Sequence, residues 1–185
     1  MKYLRLSWED VERQCAELAK MIKSSNVGAE MIIGISRGGL VPARLLSDML
    51  GNDELHTMRV RFYTGIGKVA EKPVILHPTQ VDVSGRSVLL VDDIADSGRS
   101  LSTAKSHLEK RGAGEIFVAT LIKKPGSILT PDFYVEETDA WVIFPWEVRE
   151  TARLIMSGAE SREEAARELE LAGILDAAGE IEEDC

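Results

Sequence analysis

Cysteine is nearly absent from this chain, two in 185 residues, and that excludes a fold stapled by disulfides. Cys15 falls among the apolar positions of a first helical pattern and Cys185 is the last residue, so a reducing cytoplasm is the expected compartment. Histidine is almost as sparse, and His56, His77 and His107 stand apart with no metal-ligand spacing. No apolar run approaches the roughly 20 residues a membrane helix needs, and no signal peptide opens the chain. Cationic residues are in the minority: 22 Lys and Arg against 31 Asp and Glu leave a net charge of −9, the wrong sign for a general nucleic-acid binder. Neither nucleic acid nor membrane is an expected partner. The Walker pattern G-x-x-x-x-G-K-[ST] is missing, which disfavours an ordinary nucleoside-triphosphate loop. What remains is 44% hydrophobic and 29% charged, ordinary for a globular chain long enough to bury one core.

The most informative stretch is S-V-L-L-V-D-D-I-A-D-S-G-R-S, residues 87–100. Its four apolar residues, 88–91, read as a buried parallel strand. The strand is expected to end on two adjacent carboxylates, Asp92 and Asp93, before a turn of small hydroxyl residues and glycine. A helical pattern then follows through Leu101, Ala104 and Leu108, closed by Gly112. Amides and hydroxyls at such a helix start can take a phosphate, and the two acids can accept from a pair of hydroxyls or hold Mg²⁺. Capping alone does not require so many acids. A second strand-to-turn unit, M-I-I-G-I-S-R-G-G-L-V-P (31–42), places Pro42 in the first turn of a helix. Its glycine pair permits close backbone approach, and Arg37 offers a planar cationic fork to phosphate oxygens.

These motifs resemble the type I phosphoribosyltransferases. V-L-L-V-D-D-I-A-D-S-G-R-S-L is similar to the phosphoribosyl-diphosphate (PRPP) signature of that family, with Ser97 where many members have Thr; both offer a hydroxyl. The resemblance implies that Ile94, Ala95, Asp96, Ser97, Gly98, Arg99 and Ser100 wrap the PRPP 5-phosphate end. Asp92 and Asp93 would meet the ribose hydroxyls, with Asp93 the better Mg²⁺ contact. Ser36, Arg37 and Gly38 correspond to the pyrophosphate loop, where members often have a strained or non-proline cis peptide, here mapping to Ser36–Arg37. The K-K-P-G run at 123–126 and the D-A-W-V-I-F-P-W-E run at 139–147 are similar to the base-binding region of xanthine-guanine phosphoribosyltransferases. Lys124 then faces the 6-oxo group of a purine, Trp141 covers the ring, and Val142 reads its other side through the backbone. Asp96 corresponds to the acid beside the five-membered ring, and Glu147 resembles a late acidic position near a second metal.

The resemblance implies a Mg²⁺-dependent transfer from PRPP to guanine, xanthine or hypoxanthine, by a homo-oligomer, a dimer or tetramer. A non-catalytic PRPP- or nucleotide-binding regulator of the same fold is the alternative. Orotate, adenine and uracil are disfavoured by the Lys-Pro-Gly run and Trp141.

Along the chain, Ser7 to Asp10 has capping-box spacing ahead of Val11, Leu18, Ala19 and Ile22. Strands are expected at 31, 58–63, 74–76, 88–91 and 116–121, with a helix over 40–50 stopped by Gly51. The polar, glycine-bearing segment 64–72 reads as a loop or an exposed hairpin tip, and the resemblance implies a loop that closes over the site. Alternating strands and helices predict an α/β fold with a mostly parallel twisted sheet flanked by helices. Residues 1–150 are expected to form the phosphoribosyltransferase domain with a small hood. Residues 151–185 are expected to form a helical extension, opened by a capping box at Ser161 and Glu164 and ending in an acidic tail.

Overall fold

The computed structural model describes residues 2–62 and 73–177. The segment 64–72 and the acidic tail, both singled out in the sequence, lie outside the described residues.

The chain divides into two compact units, Val11–Thr138 and a second formed by Met1–Asp10 with Asp139–Cys185. In the first, β2 (Met31–Ser36), α2 (Leu40–Leu50), β3 (Leu55–Phe62), β4 (Pro73–His77), β5 (Val88–Ala95), α3 (Arg99–Lys110), β6 (Ile116–Lys123) and β7 (Phe133–Glu137) follow one another. β1 (Tyr3–Arg5) precedes them in the other unit, and α1 (Trp8–Ser24) runs from that unit into this one. The six strands form one sheet in the order β4-β3-β2-β5-β6-β7, parallel except for the antiparallel β3–β4 pair. This is the mostly parallel α/β sheet that the alternation predicted.

The central strands are apolar because both faces are covered. Met31, Ile33 and Ile35 of β2 and Val88 and Leu90 of β5 pack with Leu101, Ala104 and Leu108 of α3 in one cluster. α2 lies against β2 and β5. It stops at Gly51, whose φ of 68° is the left-handed cap that glycine favours. α1 starts on a reciprocal cap, with the Asp10 amide donating to Ser7 Oγ at 3.1 Å and the Ser7 amide to Asp10 Oδ2 at 2.9 Å. Cys15 is fully buried on this helix, and burial pushes its thiol up to about 12.

β5 is longer than expected. Its ladder with β6 continues past Val91 through Asp92↔Thr120, Ile94↔Ile122 and Ala95↔Lys123. The acids therefore sit within the strand, because β6 supplies backbone partners whatever the side chains. β7 was not expected as a strand; it pairs with β6 at Thr120↔Tyr134 and Lys123↔Glu137.

In the other unit β1 pairs in parallel with β8 (Trp141–Ile143), forming a two-stranded sheet separate from the main one. α4 (Val148–Gly158) runs through position 150 and packs with α5 (Arg162–Leu171). Ser161 caps α5 by accepting from the Glu164 amide at 3.1 Å, while Glu164 reaches back to the Glu160 amide at 2.8 Å. Ile143, Ala152, Leu169 and Ile174 form the local core. The hydroxyl of Tyr3 donates to Glu168 at 2.6 Å, and burial together with that carboxylate pushes the phenol up to about 12.

Leu90 is wholly buried in a central strand, so Leu90→Ala should cost about 2–5 kcal/mol. Urea unfolding should show a lower midpoint with an unchanged slope.

Candidate functional site

β2 and β5 are neighbours in the sheet, yet the chain leaves β2 toward β3 on one side and β5 toward β6 on the other. Open α/β sheets bind ligands in the crevice beyond the carboxyl ends of such a divergent pair. Register between the two strands runs from Met31↔Val88 to Gly34↔Val91. Past that point β2 delivers Ser36, Arg37 and Gly38, and β5 delivers Asp92 and Asp93.

The two sides meet closely. A Cβ on Gly38 would fall within the Asp93 carboxylate, and one on Gly39 would come within 2.6 Å of the Val91 carbonyl and 2.7 Å of the Ile35 carbonyl. Only a loop without side chains at these positions can lie against the acids. The Ser36–Arg37 peptide is cis, as the family resemblance implied, and Ser36 Oγ donates to the Met58 carbonyl at 3.2 Å.

Asp93 is buried and accepts from the Ile94 amide at 2.8 Å. Asp92, half-buried, accepts from the Asp93 amide at 3.1 Å. Burial, and next the Asp93 charge, raise the Asp92 carboxyl well above the ordinary carboxylate range, with the Asp93 and Gly39 amides pulling the other way. Two adjoining acids, one buried and one half-buried, repel each other, and a cation held between them would offset that cost. Among the described residues no group of three or more His, Cys, Asp or Glu stands ready to cage a metal. Mg²⁺ does not need one, since it keeps waters and takes one or two carboxylates together with substrate phosphates. The Asp92–Asp93 pair fits that ion.

Beyond β5, Asp96, Ser97 and Arg99 are exposed and Ser100 is half-buried. Gly98, with φ 73°, opens α3 without a side-chain cap, so the first amides of the helix face the loop. The positive φ favours glycine, and so does space: a Cβ there would strike Ser127 Oγ and come within 2.7 Å of the Leu129 amide. The segment carrying Lys124 is thus packed on the phosphate-type loop. Its backbone joins too, with the Lys124 amide donating to the Ala95 carbonyl at 3.0 Å and the Ile128 amide to the Ser97 carbonyl at 3.1 Å.

The acid pair in the last half of β5, a side-chain-free loop against it and a helix start whose first amide reaches Ser97 Oγ at 3.5 Å make up this site. Residues 6–153 match the phosphoribosyl transferase domain family. The chain belongs to the phosphoribosyltransferases. It is 30% identical over 147 residues to a xanthine-guanine phosphoribosyltransferase of Gluconobacter oxydans, covering 78% of this chain and 84% of the relative. A second relative of that description, from Cereibacter sphaeroides, is 29% identical over 80% of this chain and 88% of its own. Among solved structures, a purine phosphoribosyltransferase from Pyrococcus horikoshii superposes with a TM-score of 0.71 at 39% identity, over 79% of this chain and 94% of its own.

Of the residues expected at a phosphoribosyltransferase site, Ser36, Arg37, Gly38, Asp92 to Ser100 and Lys124 all belong to the Val11–Thr138 unit. Trp141, Val142 and Glu147 belong to the other unit. Trp141 is 47% exposed, which a ring meant to cover a ligand requires and a core tryptophan does not show. Val142 is buried on β8, whose one sheet partner is β1, so one backbone edge of β8 has no strand beside it among the described residues. Glu147 stands at the N-cap position of α4, without a side-chain cap hydrogen bond. The sequence reading took the glycine pair as permitting close approach but left Gly39, whose amide donates to the Ile35 carbonyl at 3.0 Å, out of the site residues, and it missed the Ser127–Leu129 contact with Gly98. The doubled glycine after Arg37 was the available signal for the first; the second is a long-range contact with none.

No helix among the described residues is long and apolar enough to cross a membrane.

Asp92→Asn removes the acid whose folded-state pKa is raised. A group shifted that way contributes stability below its ordinary pKa and loses it as pH rises through the folded value. The variant should therefore be more stable than the native protein at pH 7, with the difference closing as pH falls through the usual carboxylate range. Urea melts of both proteins from pH 3 to pH 7 check this.

Proposed function

We propose that the protein transfers the 5-phosphoribosyl group from PRPP to a 6-oxopurine (guanine, xanthine or hypoxanthine), giving the nucleoside monophosphate and pyrophosphate in purine salvage. The observation that carries this reading is the pressing of the Gly38–Gly39 backbone onto the Asp92–Asp93 pair at the divergence of β2 and β5. The hydrogen-bonded union of the Lys124 segment with the 95–97 loop supports it, because it ties a base-type lysine to the sugar cradle.

In this reading the loop 94–100 and the start of α3 hold the 5-phosphate through amides and the Ser97 and Ser100 hydroxyls. Asp92 and Asp93 accept from the ribose hydroxyls, which fixes the ring and hence the anomeric carbon. Ser36, Arg37 and Gly38 bind the pyrophosphate, the guanidinium meeting its oxygens in a planar fork. Asp93 and Asp92 would hold Mg²⁺ and Glu147 a second ion, and the chemistry such a metal would supply is positive charge toward the pyrophosphate. Lys124 donates to the 6-oxo group, Trp141 stacks on the purine, and backbone groups of Val142 read the opposite edge. Asp96, exposed at the loop, takes up or orients the proton of the attacking ring nitrogen. Displacement through an oxocarbenium-like state leaves the protein mainly positioning and electrostatics to supply. A cytoplasmic dimer or tetramer is the accompanying proposal, in line with the low cysteine content and the family resemblance.

Purified protein given PRPP, Mg²⁺ and each base in turn should form nucleotide with at least one 6-oxopurine. Turnover of adenine or orotate alone would overturn the base assignment, and PRPP binding with no turnover of any base would mark a regulator. Asp96→Asn should lower kcat by about a hundredfold with PRPP affinity held within about twofold; an unchanged rate removes Asp96 from the chemistry. Trp141→Ala should raise the KM for the base by about tenfold, as loss of a 1–3 kcal/mol stacking contact requires, and leave that for PRPP unmoved.

A further inference from the structure

Lys123 closes β6 and immediately precedes Lys124. It is 9% exposed, and lysine is almost never that deep unless paired. Its Nζ donates to Glu137 Oε2 on β7 at 2.6 Å and lies 5.5 Å from the centre of the Tyr134 ring. Lys123 and Glu137 are also register partners. The Thr138 amide donates to the Lys123 carbonyl at 3.2 Å, and the next amide along, that of Lys124, donates to the Ala95 carbonyl at 3.0 Å. The peptide unit leading into Lys124 is thus held from β7 on one side and from the end of β5 on the other. The nearby carboxylate of Glu136 accepts from Gln14 at 3.3 Å.

We propose that the Lys123–Glu137 pair is a positioning and specificity element for the purine: it holds Lys124 in register and cancels a second buried cation beside the base pocket. The proposal rests on the reading of Lys124 given above. With the pair intact, Lys123 and Glu137 sum to zero and add no net charge to what the base meets. Xanthine loses a ring proton in mildly alkaline solution and becomes an anion, whereas hypoxanthine stays neutral there. The two bases differ in charge while sharing the 6-oxo group, so their ratio reads the charge of the pocket. Consecutive Cα atoms are about 3.8 Å apart. A unit charge freed at this pair and acting across about 10 Å should change the ratio by about two- to sixteenfold for an effective dielectric between 80 and 20.

The test compares kcat/KM for xanthine and hypoxanthine at one mildly alkaline pH in Glu137→Gln, Lys123→Met and the double variant. Glu137→Gln, leaving the lysine uncompensated, should shift the ratio toward xanthine by about two- to sixteenfold. Lys123→Met, leaving the carboxylate uncompensated, should shift it by a similar factor toward hypoxanthine. The double variant should return the ratio to within about twofold of the native value. In each single variant the KM for xanthine should move relative to the KM for hypoxanthine. A ratio of two substrates in one preparation does not depend on the folded fraction, so partial loss of fold leaves the readout intact. Shifts of the same sign in both single variants, or no shift, overturn the charge role. Native protein that turns over none of guanine, xanthine and hypoxanthine overturns the Lys124 reading and this inference with it, whereas turnover of guanine alone, or native turnover with unmoved ratios, overturns this inference alone.

Discussion

Everything at the candidate site depends on two neighbouring carboxylates being kept in a crevice where they repel each other and water is partly excluded. Adjacent residues on a strand normally point to opposite faces, so their proximity to one guest requires a place where the sheet opens. The divergence of β2 and β5 supplies it. Gly38 and Gly39 complete the arrangement by bringing bare backbone against the acids, and the Gly39 amide offsets part of the cost of Asp92. Opposite Asp92 on β6, the hydroxyl of Thr120 is buried with no hydrogen-bond partner among the described residues. Buried polar groups are rarely left so. This end of the sheet is electrostatically incomplete by itself, which is what a site built for a polyhydroxylated, cation-bearing ligand requires.

That constraint explains features that look unrelated in the sequence. α2 begins directly after the glycine pair, so its first turn cannot carry a side-chain cap without pushing the backbone off the acids, and none is present. α3 likewise starts on an uncapped glycine. Uncapped helix starts cost stability where they serve nothing. By contrast α1 and α5, which lie away from the strand divergence in the chain, both carry serine caps with reciprocal acids. α4, in the other unit, also starts without a side-chain cap hydrogen bond, at Glu147.

The parts of the fold legible in the sequence were those written in contiguous local signals. The apolar runs of β2 and β5, the Gly51 stop and the two serine capping boxes each encode their element within a few residues. The extension of β5 through Asp92 to Ala95 was not legible, because strand length there is set by the β6 backbone rather than by apolar side chains. β1 and β8, three residues each, are too short to show any period. α4 did carry a readable pattern: Val148, Thr151, Ala152 and Ile155 stand at i, i+3, i+4 and i+7. The acidic loop and the glycine pair were visible as chemistry, but their contact, and that of Gly98 with Ser127 and Leu129, arise from strand order. Strand order is a property of long-range pairing that no short window contains.

An acidic body of net charge −9 that receives a highly anionic sugar diphosphate invites an electrostatic objection. Charges beyond about 8–10 Å are largely screened at physiological ionic strength, so the global excess has little force inside the crevice. What counts there is the local sum. The amides of α3 and of the loop after β2 present partial positive charge, and Arg37 adds a full one, where phosphates would lie. The negative groups, Asp92 and Asp93, are set where hydroxyls and a divalent cation would lie. Sign is thus sorted along the ligand rather than averaged over the protein. A ligand carrying both phosphates and its cation fits that sorting; a bare polyanion would meet the acids uncompensated, and a neutral sugar would leave Arg37 and the helix amides unused. The same logic assigns weight to Lys123 and Glu137, since a pocket tuned by single charges tolerates an extra buried cation only if a carboxylate at 2.6 Å cancels it.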